Sequence, residues 1–149
     1  MYISDKGRLV VSLFSLYNIV NGKGKKFNQG ELLRWLAESV WFPTNLLPSE
    51  SLQWLAMNKN TAKLIFTYRG MCLSYIVSFS NDEITQFQTS RYMGNEKLET
   101  WIGKLGAYQK INNIMVPTKI EAIWRLANGD FSYAKFNVLR IDYNLPEKF

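Results

Sequence analysis

One segment with helical spacing stands in a chain that otherwise alternates with the period of β-strands. The apolar residues of this segment recur at the spacing of one helix face, at Leu32, Leu33, Leu36, Ala37 and Val40. Asn28 is a suitable N-cap, because Glu31 follows three residues later and completes a capping-box pattern. Pro43 must end the helix and also restricts the residue before it. The pattern predicts one helix from about Gln29 to Phe42.

Most of the remaining chain alternates apolar and polar residues with period two, which predicts strands. The predicted strands cover residues 52–57, 61–69, 71–79, 84–92, 98–108, 114–126 and 131–144, and a further strand, apolar on both faces, covers 8–20. Short turns such as Arg69-Gly70 and Asn128-Gly129 join neighbours into an antiparallel meander, and Asn128-Gly129 has the strongest signal for a type I′ turn. Pro117 indicates an edge or a bulge within its strand.

A single helix among strands needs a sheet face on which to bury its apolar stripe. We therefore predict an α+β, mainly β fold. Its sheet would be a curved antiparallel half-barrel of about 7–8 strands, wound as a meander around one plugging helix. The 149 residues suit one domain, 1–149, since neither a linker nor an internal repeat is visible.

The composition argues against most enzyme mechanisms. The chain has no histidine, which removes the commonest general base and metal ligand, and its single cysteine, Cys72, allows no intrachain disulfide. The acidic residues Asp82, Glu83, Glu96 and Glu99 fall on predicted turns rather than facing each other across a cleft. We therefore predict no catalytic residues, no metal site and no cofactor.

The net charge of +6 raises the question of nucleic acid or anionic membrane as a partner. The lysines are scattered apart from Lys23, Lys25 and Lys26, and no recognition motif accompanies that loop. We predict no nucleic-acid partner. No apolar run reaches the roughly 18 residues of a membrane span, so the sequence as written predicts a soluble chain.

A block of motifs resembles a family of uncharacterised bacterial proteins. The block runs Arg34-Trp-Leu-Ala-Glu38, Val40-Trp-Phe-Pro-Thr44 and Leu46-Leu-Pro48, and further matches lie at Trp54, Arg91-Tyr92, Trp101, Gly103, Tyr108, Val116-Pro117, Trp124, Ile141 and Tyr143. The resemblance implies that this chain is the C-terminal portion of a longer architecture. It also implies a bacterial envelope or membrane-associated location, with attachment only through a segment absent here, and a fold similar to the half-barrel of lipoprotein carriers.

The candidate ligand-binding residues are an ion pair and a set of rings. They are Arg34, Trp35, Glu38, Trp41, Phe42, Trp54, Tyr92, Trp101, Tyr108 and Trp124. An arginine and a carboxylate at i and i+4 could hold a head group or could simply stabilise the helix. The rings could line an apolar pocket or fill an ordinary β-core.

Three functions fit these observations. The first is a non-catalytic binding module for a hydrophobic small molecule or lipid in the bacterial envelope. The second is a structural or interaction domain that pairs through the edge of the 8–20 strand with another segment or subunit, as in a homo-oligomer. The third, an enzyme using Arg34 and Glu38, has the least support.

Overall fold

The computed structural model describes residues 25–94 and 97–143. The helix α1 covers Lys25–Glu38, and two 3₁₀ helices follow at Ser39–Trp41 and Pro43–Leu46. The strands are β1 Leu52–Asn58, β2 Thr61–Tyr68, β3 Met71–Ser80, β4 Glu83–Met93, β5 Lys97–Ile111, β6 Ile114–Leu126 and β7 Gly129–Asn137.

The seven strands form one open antiparallel sheet whose spatial order is the order of the chain. Each neighbouring pair is joined by a short turn, so every strand pairs with the strand that follows it. The mainly β fold class, an antiparallel sheet with one helix packed against it, is therefore confirmed for the described residues. The strand predicted at 8–20 lies outside them.

The helix starts and ends in different places from those predicted. It begins at Lys25, so Asn28 lies inside the helix and its prediction as N-cap is wrong. The residues before Asn28 tolerate helical backbone, and they extend the helix by one turn. The α-helix ends at Glu38, and the chain tightens into 3₁₀ geometry up to Trp41. Phe42 then leaves the helical region, with φ −130° and ψ 69°, because Pro43 follows.

The apolar face of α1 lies on the inner face of the sheet. Leu32, Leu33 and Leu36 are almost completely buried, as their helical spacing predicts. The Tyr75 hydroxyl on β3 donates to the carbonyl of Leu33 at 2.8 Å, which ties the helix to the sheet. The core continues under the helix through residues that alternate along the strands, at Leu64, Phe66, Leu73, Val77, Phe87, Trp101, Ala122 and Trp124.

The first 3₁₀ helix packs against β6. The Trp41 indole donates to the carbonyl of Pro117 on β6 at 3.1 Å, and its ring is 5% exposed. The Tyr143 hydroxyl donates to the carbonyl of Trp41 at 2.6 Å, so the C-terminal described residues return to the end of the helix. The motif block therefore connects the helix to both the middle and the edge of the sheet.

The hairpin turns agree only in part with their sequence signals. Both turn residues have positive φ at Arg69-Gly70, Asn81-Asp82 and Asn112-Asn113, as a type I′ turn requires. The I′ turn predicted at Asn128-Gly129 is wrong, because only Gly129 of the two has positive φ. Leu126 pairs with Gly129, so the turn is centred one residue earlier than the sequence signal suggests.

The last strand is shorter than predicted. The β6–β7 ladder reaches only to Lys119 and Asn137, and Val138 adds one last bond, to the carbonyl of Thr118 at 2.8 Å. On the other side of β6, β5 is irregular beside Pro117: Ala107 has φ +50° and accepts a bond from the Thr118 hydroxyl, although pairing resumes at Tyr108 and Pro117. The backbone of Pro117 faces β5, so its missing N–H accounts for this irregularity, in agreement with the predicted bulge.

Candidate ligand-binding site

An arginine projects from the inner face of the sheet beneath the first turns of α1. Along β4, Phe87, Thr89 and Arg91 share the inner face by alternation, and Phe87 is 1% exposed in the core. The guanidinium of Arg91 lies against the helix backbone at Gly30, where an added Cβ would stand 3.4 Å from Arg91 Nε. Gly30 thus lets a charged group approach the helix closely.

Two indole rings flank this guanidinium. Arg91 Cζ lies 5.9 Å from the ring centroid of Trp101 and 6.0 Å from that of Trp124. These two residues are direct partners across the β5–β6 ladder, which places their rings side by side on the inner face. A cation over the face of tryptophan is attracted to the ring electrons by roughly 0.5–2 kcal/mol, depending on exposure.

The ring surface continues from the core to solvent. Trp101 and Trp124 are 7% and 8% exposed, whereas Tyr133 and Phe131 on β7 are 43% and 52% exposed. The Trp101 indole donates to the Tyr133 hydroxyl at 2.8 Å, and the Tyr133 ring stacks on Trp124 with centroids 6.0 Å apart. We call Arg91, Trp101, Trp124, Phe131 and Tyr133 the Arg91 site.

The guanidinium of Arg91 lacks an acceptor within the described part of the chain. It makes the two ring contacts, but no hydrogen bond and no ion pair with residues 25–94 and 97–143. Glu99 is its direct partner across the β4–β5 ladder, yet the carboxylate of Glu99 forms its ion pair with Lys97. The Arg91 site is therefore a cationic group set among rings and open on one side.

The predicted Arg34–Glu38 ion pair is present on α1. Arg34 Nε lies 2.8 Å from Glu38 Oε1, and the two side chains are 41% and 29% exposed. The hydrogen bond to Glu38 raises the pKa of the Arg34 guanidinium. Neither residue lines either of the two most prominent pockets in the described part of the chain. The geometry is that of an exposed i, i+4 pair, worth about 0.3–0.5 kcal/mol.

The remaining predicted rings lie at several places instead of around one cavity. Trp35 packs on Phe66, with centroids 5.5 Å apart. The Trp54 indole donates to the carbonyl of Leu46 at 2.8 Å, near the entrance to β1. Phe42 meets Tyr143 edge to face, with centroids 5.8 Å apart.

Three further residues complete the predicted set. Trp41 docks on β6 as described above, and Tyr92 is partly buried on β4, next to Arg91. The Tyr108 hydroxyl donates to the carbonyl of Ile84 at 2.7 Å, and burial raises the pKa of Tyr108 to about 12. Of the predicted rings, the structure brings only Trp101 and Trp124 together with Arg91. Ligand binding by any of them stays a prediction.

A second opening lies in the middle of the sheet. β3 pairs with β2 from Met71 to Ser78, but its ladder with β4 ends at Ile76 and Gln88. Beyond that point the two strands separate, and the Thr89 hydroxyl donates to the carbonyl of Ser74 at 2.7 Å in place of a ladder bond. We call this opening, between residues 71–75 and 89–93, the fork.

A pocket of about 320 Å³ occupies the fork, with α1 as its floor. Its lining is mostly polar: Gln29, Leu33, Lys63, Cys72, Leu73, Ser74, Ile76, Gln88, Thr89, Ser90 and Thr100. Gln29 Oε1 is buried there and has no hydrogen-bond partner among the described residues. A second pocket of about 370 Å³ lies across β5, β6 and β7 and has Lys104, Lys119 and Lys135 in its lining. The first pocket is mostly polar, both pockets are open to solvent, and no residue of the Arg91 site lines either of them.

Sequence reasoning missed three members of the Arg91 site. Arg91 carries a usable signal, because alternation from Phe87 places it on the inner face, where a charge is unusual. Phe131 and Tyr133 also lie in a predicted strand, but exposure near a strand bulge has no mark in the sequence. Among the described residues, no three acidic or cysteine side chains come together as a possible metal site.

The fold and the site together define a mainly β domain with one helix and a partly open cationic and aromatic site. The chain belongs to the family of unknown function DUF6544, whose model matches residues 1–136. This confirms the resemblance to an uncharacterised family, whereas the likeness to lipoprotein carriers stays a prediction. No curated protein and no solved structure matches the chain. No helix in the described ranges has the length and hydropathy to cross a bilayer.

Proposed function

We propose that this protein is a non-catalytic binding module for a hydrophobic or lipid-like ligand, and that the ligand lies on the Arg91 site. The observation that carries the proposal is the ring surface formed by buried Trp101 and Trp124 and half-exposed Tyr133, beside which Phe131 is exposed as the ladder partner of Trp124. An apolar chain laid on this surface would cover rings that now face water. The bacterial envelope setting belongs to the same proposal and is supported by the motif resemblance.

The ring geometry favours binding on a surface rather than inside a closed barrel. The helix fills the inner face of the sheet over β3 and β4, so an acyl chain has no room beneath it. At the far end of β6 and β7 the helix no longer covers the rings, and Phe131, the ladder partner of Trp124, is half exposed. A flat apolar ligand therefore has access there without any unpacking of the core.

Titration of the delipidated protein with a fluorescent fatty acyl probe tests this proposal. Phe131→Ser removes about half a phenylalanine side chain of contact area, worth about 1 kcal/mol, so we expect roughly fivefold weaker binding. Leu55→Ser is the matched control, because Leu55 is 51% exposed on β1, away from the Arg91 site. Absence of saturable binding, or equal losses in both variants, would contradict the proposal.

A second candidate function is pairing with another segment or subunit through an exposed strand edge. Within the described sheet, β1 is an edge strand, and it exposes Leu55 and Met57 at 51% and 55%. An apolar edge strand is a ready template for strand addition. Sedimentation velocity tests this candidate, with Leu55→Lys as the variant. We expect a self-associating wild type and a monomeric variant, and a monomeric wild type would contradict the idea.

A further inference from the structure

We propose that the ligand of the Arg91 site carries an oxyanion, a carboxylate or a phosphate, at one end of its apolar chain, and that the Arg91 guanidinium binds this group. The inference rests on the proposed function and adds the chemical class of the ligand. It also gives Arg91 a binding role that is separate from the role of the rings.

The first argument is the hydrogen-bonding capacity of Arg91. A guanidinium offers several N–H donors in a planar fork and cannot lose its charge in a protein. Within residues 25–94 and 97–143, none of these donors meets an acceptor. The faces of Trp101 and Trp124 attract the cation but provide no lone pairs for its N–H groups. The donors of Arg91 are thus held in position and remain available.

The second argument concerns the neighbouring charges. An arginine opposite a glutamate on paired strands normally forms an ion pair across the ladder, but Glu99 pairs with Lys97 instead. Within the described residues the cross-strand carboxylate therefore has a cationic partner of its own, and an incoming anion would face the charge of Arg91.

The third argument is the order of groups along the sheet. Arg91 is partly buried under Gly30, and the ring surface extends away from it through Trp124 to Phe131, the half-exposed residue on β7. A ligand with its charged end at Arg91 would place its apolar chain on the rings and toward solvent. Charge-assisted bonds of a planar guanidinium to an oxyanion are frequently bidentate, which fixes the direction in which the chain runs.

Competition against the fluorescent acyl probe tests the inference with three ligands of equal chain length: dodecanoate, monododecyl phosphate and dodecanol. We expect the wild type to bind one or both anions at least about tenfold more tightly than the alcohol. The preference for the anion should decrease as salt concentration rises. Whichever anion binds more tightly identifies the head group as a carboxylate or a phosphate.

The variant Arg91→Met should abolish the preference for anions while leaving dodecanol affinity within about twofold of the wild type. Arg91→Lys keeps the charge without the planar fork and should retain part of the preference. Arg69→Met is the matched control, since Arg69 lies over a ring, that of Tyr68, at 5.5 Å, but on an exposed turn. Each variant is compared at matched folded fraction, measured by circular dichroism.

Three outcomes would overturn the inference. If the wild type binds dodecanoate, dodecyl phosphate and dodecanol equally, the proposed function survives and the oxyanion is wrong. The same conclusion follows if Arg91→Met keeps the preference for anions. If none of the three ligands displaces the probe and the probe itself fails to bind, the proposed function fails and the inference fails with it.

Discussion

Two polar side chains extend from neighbouring strands toward the same stretch of α1, and their surroundings differ. Tyr75 on β3 is 1% exposed, and its hydroxyl donates to the carbonyl of Leu33. Arg91 on β4 meets the helix three residues earlier, at Gly30, and has ring contacts without a hydrogen bond in the described chain. The first group is buried and hydrogen-bonded, whereas the second is partly exposed and makes no hydrogen bond with the described residues.

The difference separates a residue that supports the fold from one that is available for binding. A buried hydroxyl stays in a protein only when its hydrogen bond offsets the cost of removing it from water. Among the described residues the Arg91 guanidinium makes ring contacts but no hydrogen bond of this kind, so we expect Arg91 to contribute less to stability than Tyr75. In this helix–sheet interface, a residue that supports the fold is distinguished from a candidate binding residue by whether its polar group is hydrogen-bonded, more than by its residue type.

The largest predicted effect is the loss of the Tyr75 ring. Tyr75→Ala removes a ring that packs on Phe87, with centroids 5.1 Å apart, and leaves a cavity under the helix. We expect the free energy of unfolding to fall by about 3–5 kcal/mol. Arg91→Ala should lower it by less, by about 1–2 kcal/mol, because it loses only the contacts of the guanidinium with the two indoles. Urea unfolding measures both, and an equally large loss for Arg91→Ala would show that Arg91 supports the fold.

Substitutions at two glycines have the next largest expected effects and compare a fixed neighbour with an adaptable one. A Cβ at Gly103 would lie 2.9 Å from Trp101 Cη2, and that indole is fixed by its bond to Tyr133, so Gly103→Ala should cost about 1–3 kcal/mol. Gly30→Ala meets only the flexible end of Arg91, at 3.4 Å, and gains helix propensity. We expect Gly30→Ala to stabilise the protein by up to about 1 kcal/mol.

Thermal melts of the two glycine variants beside the wild type measure this pair. Opposite signs are the expected result, because the indole of Trp101 cannot move aside, whereas the arginine side chain can. If Gly30→Ala is as destabilising as Gly103→Ala, then Arg91 is packed rigidly against the helix, and the contrast between a fixed and an adaptable neighbour is wrong.

The smallest predicted effect is a pH dependence that comes from Tyr75. Burial raises the pKa of Tyr75 strongly, and the Arg91 guanidinium opposes this shift. The hydroxyl therefore contributes its stability in full below the unfolded value of about 10. Above that pH the unfolded chain loses the proton while the fold keeps it, so stability falls by about 1.4 kcal/mol per pH unit.

Urea unfolding from about pH 9 to about pH 11 measures this slope. Tyr75→Phe should start about 1 kcal/mol less stable and should lose stability less steeply, because among the described tyrosines with a raised pKa only Tyr108 and Tyr143 then remain. Equal slopes for wild type and Tyr75→Phe would mean that another group controls the alkaline limit.

Much of the fold could be predicted because one physical rule dominates it. A sheet covered by a helix on one face needs period-two alternation, and strands such as β2 and β3 lie within one or two residues of the predicted ranges. The helical stripe at Leu32, Leu33 and Leu36 was equally informative. Helix ends and turn centres were harder, since they depend on local backbone choices that several residues satisfy almost equally well.

The site was harder to predict, because the sequence does not distinguish a ring that packs from a ring that binds. In the sequence, Trp41 and Trp54 have the same pattern as Trp124. In the structure, the indole N–H groups of Trp41 and Trp54 donate to backbone carbonyls. Arg91 could have been found from its inward register on β4. The fork could not, because the separation of β3 from β4 is a property of the assembled sheet rather than of either strand.

The fork also determines where this molecule is weakest. Only five residue pairs join β3 to β4, whereas eleven join β5 to β6. The described sheet therefore has two parts, β1–β3 and β4–β7, that are joined by a short ladder beside the Ser80–Glu83 turn. The amide of Ser74 lies on the same side of its strand as the carbonyl bound by Thr89. Its proton should exchange with solvent long before those of the β5–β6 ladder. The two parts of the sheet should rotate relative to each other about the short β3–β4 ladder, with α1 packed across both.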